Sequence, residues 1–281
     1  MKRFLVPFIV LSFLPLATSA QTGKTAAATV ETADDLFKQG TTAYNVKDWK
    51  KAVSFYNKTI KIDANYWRAY YNRAQIYMMQ NQNKEALVDL RAAAKLNPKS
   101  AEIQNTIGVV CLQTKQLPAA EAAFNEAVKI NPTYIDALGN RAELYRNTGK
   151  LAQAADDANK VLSLKPDQPN ALHTKAAILI EEKKYAEALV LLDKIISKNP
   201  AQATPYIERG DVQFKLKKFK DAAQDYTQAL FIRPDLAELY IKRGQARLKY
   251  REDDGACEDF TRAASLSDPE AETLMREHCH D

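Results

Sequence analysis

The side chains best suited to chemistry are three cysteines and three histidines, and their spacing separates them into different roles. Cys257 and Cys279 lie eleven residues on either side of Asp268. If residues 253–266 and 269–279 form an antiparallel helical hairpin, that symmetry sets the two thiols level across it. Oxidation would then staple the hairpin, contributing roughly 3 kcal/mol in the chain-entropy model. Such a bridge persists only in an oxidising compartment. Cys111 is spaced 34 residues from both Tyr77 and Tyr145. It reads as a buried thiol acting as a small hydrophobe, since nothing in the pattern near it would activate a nucleophile.

The tail His278-Cys279-His280-Asp281 has metal-ligand residue types. A zinc site needs about four ligands fixed in space, and a chain end fixes few, with Cys279 already claimed. No metal and no cofactor are therefore expected. Carboxylate pairs such as Asp156-Asp157 and Glu181-Glu182 point apart on a helix and are expected to form solvated faces. The sequence holds no Gly-rich phosphate loop and no serine-nucleophile motif. No catalytic residue is expected, and an enzyme or metal carrier is the weakest reading.

The elements that would position these residues follow from a fixed period. Ala52, Ala86, Ala120, Ala154, Ala188, Ala222 and Ala256 are each 34 residues apart. Twelve residues before each stands another small residue: Gly40, Ala74, Gly108, Ala142, Ala176, Gly210 and Gly244. Unbroken periods of this length mark stacked-repeat solenoids. Within the repeat 67–100, Tyr70, Ala74 and Tyr77 recur at helical spacing, and so do Ala86, Leu90 and Ala93. The polar residues Gln80 to Gln82 between them suit a turn. Pro98, Pro132, Pro166, Pro200 and Pro234 would stop each second helix, because proline disfavours helix in the residue before it. The small residues at positions 8 and 20 are expected where the two helices cross most closely. Tyr56, Leu90, Phe124, Leu192, Tyr226 and Phe260 would fill the wider gaps at position 24. Ala158 breaks that series, which predicts thinner packing in the fourth repeat.

This pattern resembles the tetratricopeptide repeat family: small at 8, Ala at 20, aromatic at 24, Pro at 32. The stretch Ala69-Tyr70-Tyr71-Asn72-Arg73-Ala74 is close to the family's usual wording. Departures are Thr59, Gln104 and Ala158. The resemblance implies an all-α, right-handed superhelical solenoid of seven repeats (33–66, 67–100, 101–134, 135–168, 169–202, 203–236 and 237–268). It also implies a concave groove, lined by the first helices, that holds a protein or peptide. The groove positions named for partner contact are Phe37, Tyr44, Arg68, Tyr71, Gln75, Met78, Asn105 and Arg146, concentrated in the early repeats. Tyr and Arg are favoured interface anchors, and Met adapts to varied shapes. Some members grip a peptide's terminal carboxylate with a Lys and an Asn on one repeat and an Asn on the next. Asn72 and Asn140 fit the middle place, but the preceding repeats offer Phe37 and Thr41, or Asn105 and Val109. That clamp is absent.

The ends read differently. Lys2 and Arg3, the apolar run Phe4 to Leu16 and the small residues Thr18-Ser19-Ala20 make residues 1–20 a signal peptide. The run falls short of the ~20 apolar residues a span needs, and no second run follows, so no integral span is expected in the mature chain. Residues 21–32 read as a flexible linker. Residues 269–281 read as a capping helix and tail, with Ala271, Leu274 and Met275 covering the last repeat, since a solenoid's terminal apolar face would otherwise meet water. Without Lys2 and Arg3 the formal charge falls from +5 to +3, which gives no support to nucleic-acid binding. A lysine cluster, Lys215, Lys217, Lys218 and Lys220, is expected to be a hydrated turn. The sequence thus predicts an exported protein, periplasmic or secreted, that acts as a non-catalytic scaffold or adaptor for a partner of unknown identity. The alternative is an assembly factor of a cell-envelope or secretion complex.

Overall fold

The computed structural model describes residues 31–279. The expected signal peptide lies outside them, as does most of the expected linker. The linker's last two residues belong to the fold: Thr32 caps the first helix in a reciprocal capping box with Asp35, and Glu31 accepts a hydrogen bond from Gln39. Such boxes satisfy two backbone donors that a helix start leaves free.

The helices follow in order as α1 (Ala33–Asn45), α2 (Trp49–Ile62), α3 (Trp67–Met79), α4 (Asn83–Leu96), α5 (Ala101–Gln113), α6 (Leu117–Ile130), α7 (Ile135–Asn147), α8 (Leu151–Leu164), α9 (Pro169–Glu181), α10 (Tyr185–Lys198), α11 (Ala203–Lys215), α12 (Phe219–Ile232), α13 (Ala237–Lys249), α14 (Asp253–Ser265) and α15 (Ala271–His278). Among the described residues there is no strand. The odd-numbered helices α1 to α13 are the first helices of the repeats and α2 to α14 the second. Each first helix starts 34 residues after the last. The residue before each proline stop leaves the helical region, and at Asn131 (φ −131°, ψ 96°) and Lys165 (φ −142°, ψ 90°) it is extended.

The turn inside each repeat has one conformation. Lys47, Asn81, Lys115, Gly149, Lys183, Lys217 and Arg251 all sit at position 15 with φ between 57° and 75°. This left-handed geometry closes a helix end, and it costs an L-residue roughly 1–2 kcal/mol. Only the fourth repeat uses glycine. Replacing the exposed Lys115 by glycine is therefore expected to raise stability by about 0.5–1 kcal/mol, part of the gain being lost to the freer unfolded chain. A higher thermal midpoint for the variant checks it.

Packing corrects one expectation about the small residues. At position 8 the neighbour is the side chain at position 24 of the same repeat. A Cβ added at Gly40 would meet the Tyr56 ring at 2.6 Å, and one at Gly210 would meet the Tyr226 ring at 2.7 Å. Gly108 faces Phe124 and Gly244 faces Phe260 in the same way. Where position 8 is alanine, position 24 is Leu90, Ala158 or Leu192. Glycine is thus the partner of a ring, rather than of a close backbone crossing. In the fourth repeat Ala142 and Ala158 are both buried, and the local core is a small cluster of Tyr145, Ala154 and Ile178.

The far end closes as expected. Ala271, Leu274 and Met275 pack on Ile241, Phe260 and Ala263. A disulfide joins Cys257 to Cys279, with Cα atoms 5.6 Å apart. Cys279 is thereby withdrawn from any metal cluster, and His280 and Asp281 lie outside the described residues. Cys111 is buried beside Leu90 and Leu144, and burial pushes its thiol above the usual range. Among the described residues no helix is long and apolar enough to cross a membrane.

Candidate partner-binding groove

The stack curves toward its first helices. α5 touches α7 and α7 touches α9, whereas second helices make no comparable contact with one another. Layers that approach more closely on one side bend toward that side, so the first helices line the inner surface.

Hydrogen bonds between repeats run along this surface with a regular offset. A side chain at position 5 of one first helix reaches position 6 of the next, 35 residues on. The Tyr71 hydroxyl lies 3.3 Å from Thr106 Oγ1 and donates to Glu102 at 2.9 Å. Asn140 donates to Asn105 Oδ1 at 2.9 Å. His173 Nε2 lies 2.8 Å from Glu208 Oε1. Further pairs join Arg146 to Glu181 at 3.4 Å and Lys242 to Asp211 at 2.8 Å. Burial, with Glu102 alongside, pushes the Tyr71 hydroxyl up to about 12, so it remains a donor at any physiological pH.

The eight residues named from the sequence divide into four sets. Phe37 and Tyr44 are half-buried in aromatic packing, Phe37 against Tyr56 and Tyr66, Tyr44 edge-on to Trp49. Tyr71, Gln75 and Met78 are half-exposed on α3, and Arg68 is exposed beside the Trp67 ring. Asn105 is only 8% exposed and is tied to Asn140, so it links repeats and has little surface to offer. Arg146 is held by Glu181, two repeats beyond the early cluster.

His173 carries a pH dependence. The hydrogen bond to Glu208 raises its pKa above 6.5, against the opposing effect of burial. A group whose folded pKa is raised stabilises the fold fully below its unfolded value and loses that contribution as pH rises through the folded one. The link should therefore be strongest below about pH 6.5 and fade above it. In an NMR titration His173 is expected to show a midpoint above 6.5, falling in Glu208→Gln. An unchanged midpoint in that variant would remove Glu208 as the cause.

Comparison with known proteins fits this geometry. Family profiles described as tetratricopeptide repeat match residues 71–135 and 174–237, and a further one matches 123–155. The chain belongs to the tetratricopeptide repeat family. Heat shock protein STI1 of Saccharomyces cerevisiae is 30% identical to it over 98 residues, covering 34% of this chain and 17% of the yeast protein. The chain thus spans less than a fifth of that relative. Among solved structures, a tetratricopeptide repeat protein from Parabacteroides merdae aligns with 88% of this chain and 99% of its own, at a TM-score of 0.65 and 20% identity. The pilF protein of Pseudomonas aeruginosa aligns with 75% of this chain and 97% of its own, at a TM-score of 0.66 and 18% identity. At these identities the likeness is one of fold.

In this tetratricopeptide repeat chain one carboxylate pair departs from the expectation of a solvated face. Asp156 is exposed, but Asp157 is buried and accepts two bonds from Arg141, at 2.7 and 2.8 Å. The same clamp joins Arg73 to Asp89, Arg209 to Asp225 and Arg243 to Asp259. Each arginine also reaches position 25 of the preceding repeat: Asn57, Asn125, Asp193 and Thr227. The clamps therefore stitch three helices across a repeat boundary. The signal was present as Arg at position 7 recurring with Asp at position 23, and with neither in repeats one, three and five.

Proposed function

We propose that the chain is a non-catalytic adaptor that binds an extended or helical segment of a partner protein along the groove of its first helices. The observation that carries this is the inner surface itself. Tyr71, Gln75 and Met78 remain partly exposed there, on helices held in register by the bonds between repeats. A preformed groove of this kind presents many side chains at low ordering cost. Export is part of the same proposal. It rests on the leader-like residues 1–20 and is supported by the Cys257–Cys279 bridge, which needs an oxidising compartment.

Affinity capture with the full chain from a cell-envelope extract tests the adaptor, with a Tyr71→Ala/Met78→Ala variant alongside. A partner retained by the native chain and lost from the variant is the expected result. A partner kept equally by both would move the site away from the early groove. The leader-like residues 1–20 and the Cys257–Cys279 bridge also favour a second reading, an assembly factor of an envelope complex. Co-fractionation of the captured partner with a membrane assembly would support it.

A further inference from the structure

The linkage from position 5 to position 6 joins repeats two to three, three to four and five to six; the outer repeats, with Phe37 and Ile207 at position 5, have none, and between repeats four and five it is missing with a rung on either side. Tyr71 meets Thr106, Asn105 meets Asn140 and His173 meets Glu208. Between the last two rungs the pair would be residue 139 with Thr174, and residue 139 is glycine. A Cβ built on Gly139 has nothing within 4 Å. The space left is a cavity of about 240 Å³ between α7 and α9, bounded by Asn105, Asp136, Glu143, Asn170 and Thr174.

Two observations mark this cavity as a place for a ligand group. Thr174 is only 7% exposed, and its hydroxyl has no hydrogen bond among the described residues. Thr106, the equivalent residue one rung earlier than Asn140, bonds both Tyr71 and the Glu102 carbonyl. The Thr174 hydroxyl is instead left open toward the cavity, where an incoming polar group can bond it. Asp136 and Glu143, exposed at the mouth, form no ion pair among the described residues, whereas the neighbouring groove carboxylates Glu181 and Glu208 are taken by Arg146 and His173. The cavity is therefore polar at its base and negative at its mouth.

We propose that this missing rung is a specificity pocket for a basic side chain, lysyl or arginyl, of the bound partner segment. The inference rests on the groove being the binding surface. The partner's cation would sit between Asp136 and Glu143 and donate inward toward Thr174, completing the ladder in trans. Charge-assisted bonds of this kind are shorter and stronger than neutral ones.

A phage-displayed random dodecapeptide library panned on the full chain tests this. The best binder is then synthesised and titrated by calorimetry against native protein, Gly139→Asn and Asp136→Asn/Glu143→Gln. The first variant supplies the absent rung side chain in open space and should fold normally by circular dichroism. The expected result is a Lys or Arg at one fixed place in the selected peptides. Affinity should fall about tenfold or more in either variant, the scale of a hydrogen bond to a charged group. Replacing the fixed basic residue by alanine should weaken binding to native protein and have no further effect in Gly139→Asn. Peptides that lack a fixed basic residue, or that bind Gly139→Asn as well as native protein, would overturn the pocket. If those peptides still lose binding in Tyr71→Ala/Met78→Ala, the groove reading survives. Failure to select any groove-dependent peptide would remove both.

Discussion

Asp157→Ala is expected to destabilise the protein by about 3 kcal/mol, the lower end of the range for breaking a buried ion pair from one side. Asp157 and Arg141 are 8% and 17% exposed at their side chains. The carboxylate holds the guanidinium above its usual pKa by hydrogen bonding, against the cost of burial. Without Asp157, Arg141 keeps its charge with only the Asn125 amide and the Tyr145 ring to meet it, and its limited exposure lets water relieve part of the loss. Solenoid stability is a sum of repeat and interface contributions, so the damage should be local. Hydrogen exchange should rise first in α7, α8 and the adjoining α6. A companion variant separates charge from packing. Repeat three carries Ile107 and Ala123 at the same two positions. Arg141→Ile/Asp157→Ala therefore installs a pair this fold already accepts and should recover most of the loss. A single variant that melts with the native protein would mean that the clamp contributes nothing net.

Those clamps also show what the sequence made legible. The 34-residue spacing of the helix pairs, the cap formed by Ala271, Leu274 and Met275, and the Cys257–Cys279 bridge follow from local spacing, because each depends on residues fixed by one period or one hairpin. The burial of Asp157 is not legible from its own neighbourhood, because the adjacent Asp156 is exposed and the pair reads as one solvated face. The distinguishing fact lies sixteen residues earlier, at Arg141, and becomes visible only when positions 7 and 23 are compared across repeats. Asn105 was named as a contact for a similar reason. Its helical position faces the groove, but its amide is bonded to Asn140 on the following repeat.

The gap at Gly139 illustrates a different limit. A single glycine on a helix face reads as a small residue with no stated purpose. Its meaning depends on the rungs to either side, Asn105–Asn140 and His173–Glu208, which join residues 35 apart in sequence. The offset of 35 arises because position 5 meets position 6, one residue beyond the 34-residue period. A search at the period itself passes over it. In a solenoid, then, the period determines the scaffold, while the bonds offset from it determine which groove positions are occupied by the protein's own side chains and which are left open.

Glycine supplies the second large effect, and its sign reverses with location. Gly108→Ala is expected to destabilise by about 1–3 kcal/mol, the usual cost of forcing extra volume into a packed core, even after the ~1 kcal/mol that alanine gains over glycine within a helix. The new Cβ would lie inside 3 Å of the Phe124 ring, and that ring is fully buried. Gly139→Ala adds the same atom in open space and should stabilise by up to about 1 kcal/mol from helix propensity alone. The compensating change for Gly108 is supplied by the chain's own second repeat, where Ala74 faces Leu90. Phe124→Leu alone should cost stability through the cavity it leaves. Combined with Gly108→Ala, the loss should be smaller than the sum of the two single variants, because the added methyl occupies space that the ring vacates. Chemical denaturation of the four proteins in this cycle measures that coupling directly. Strict additivity would show that positions 8 and 24 do not share one volume, and the matching of glycine with aromatic rings would then need another cause.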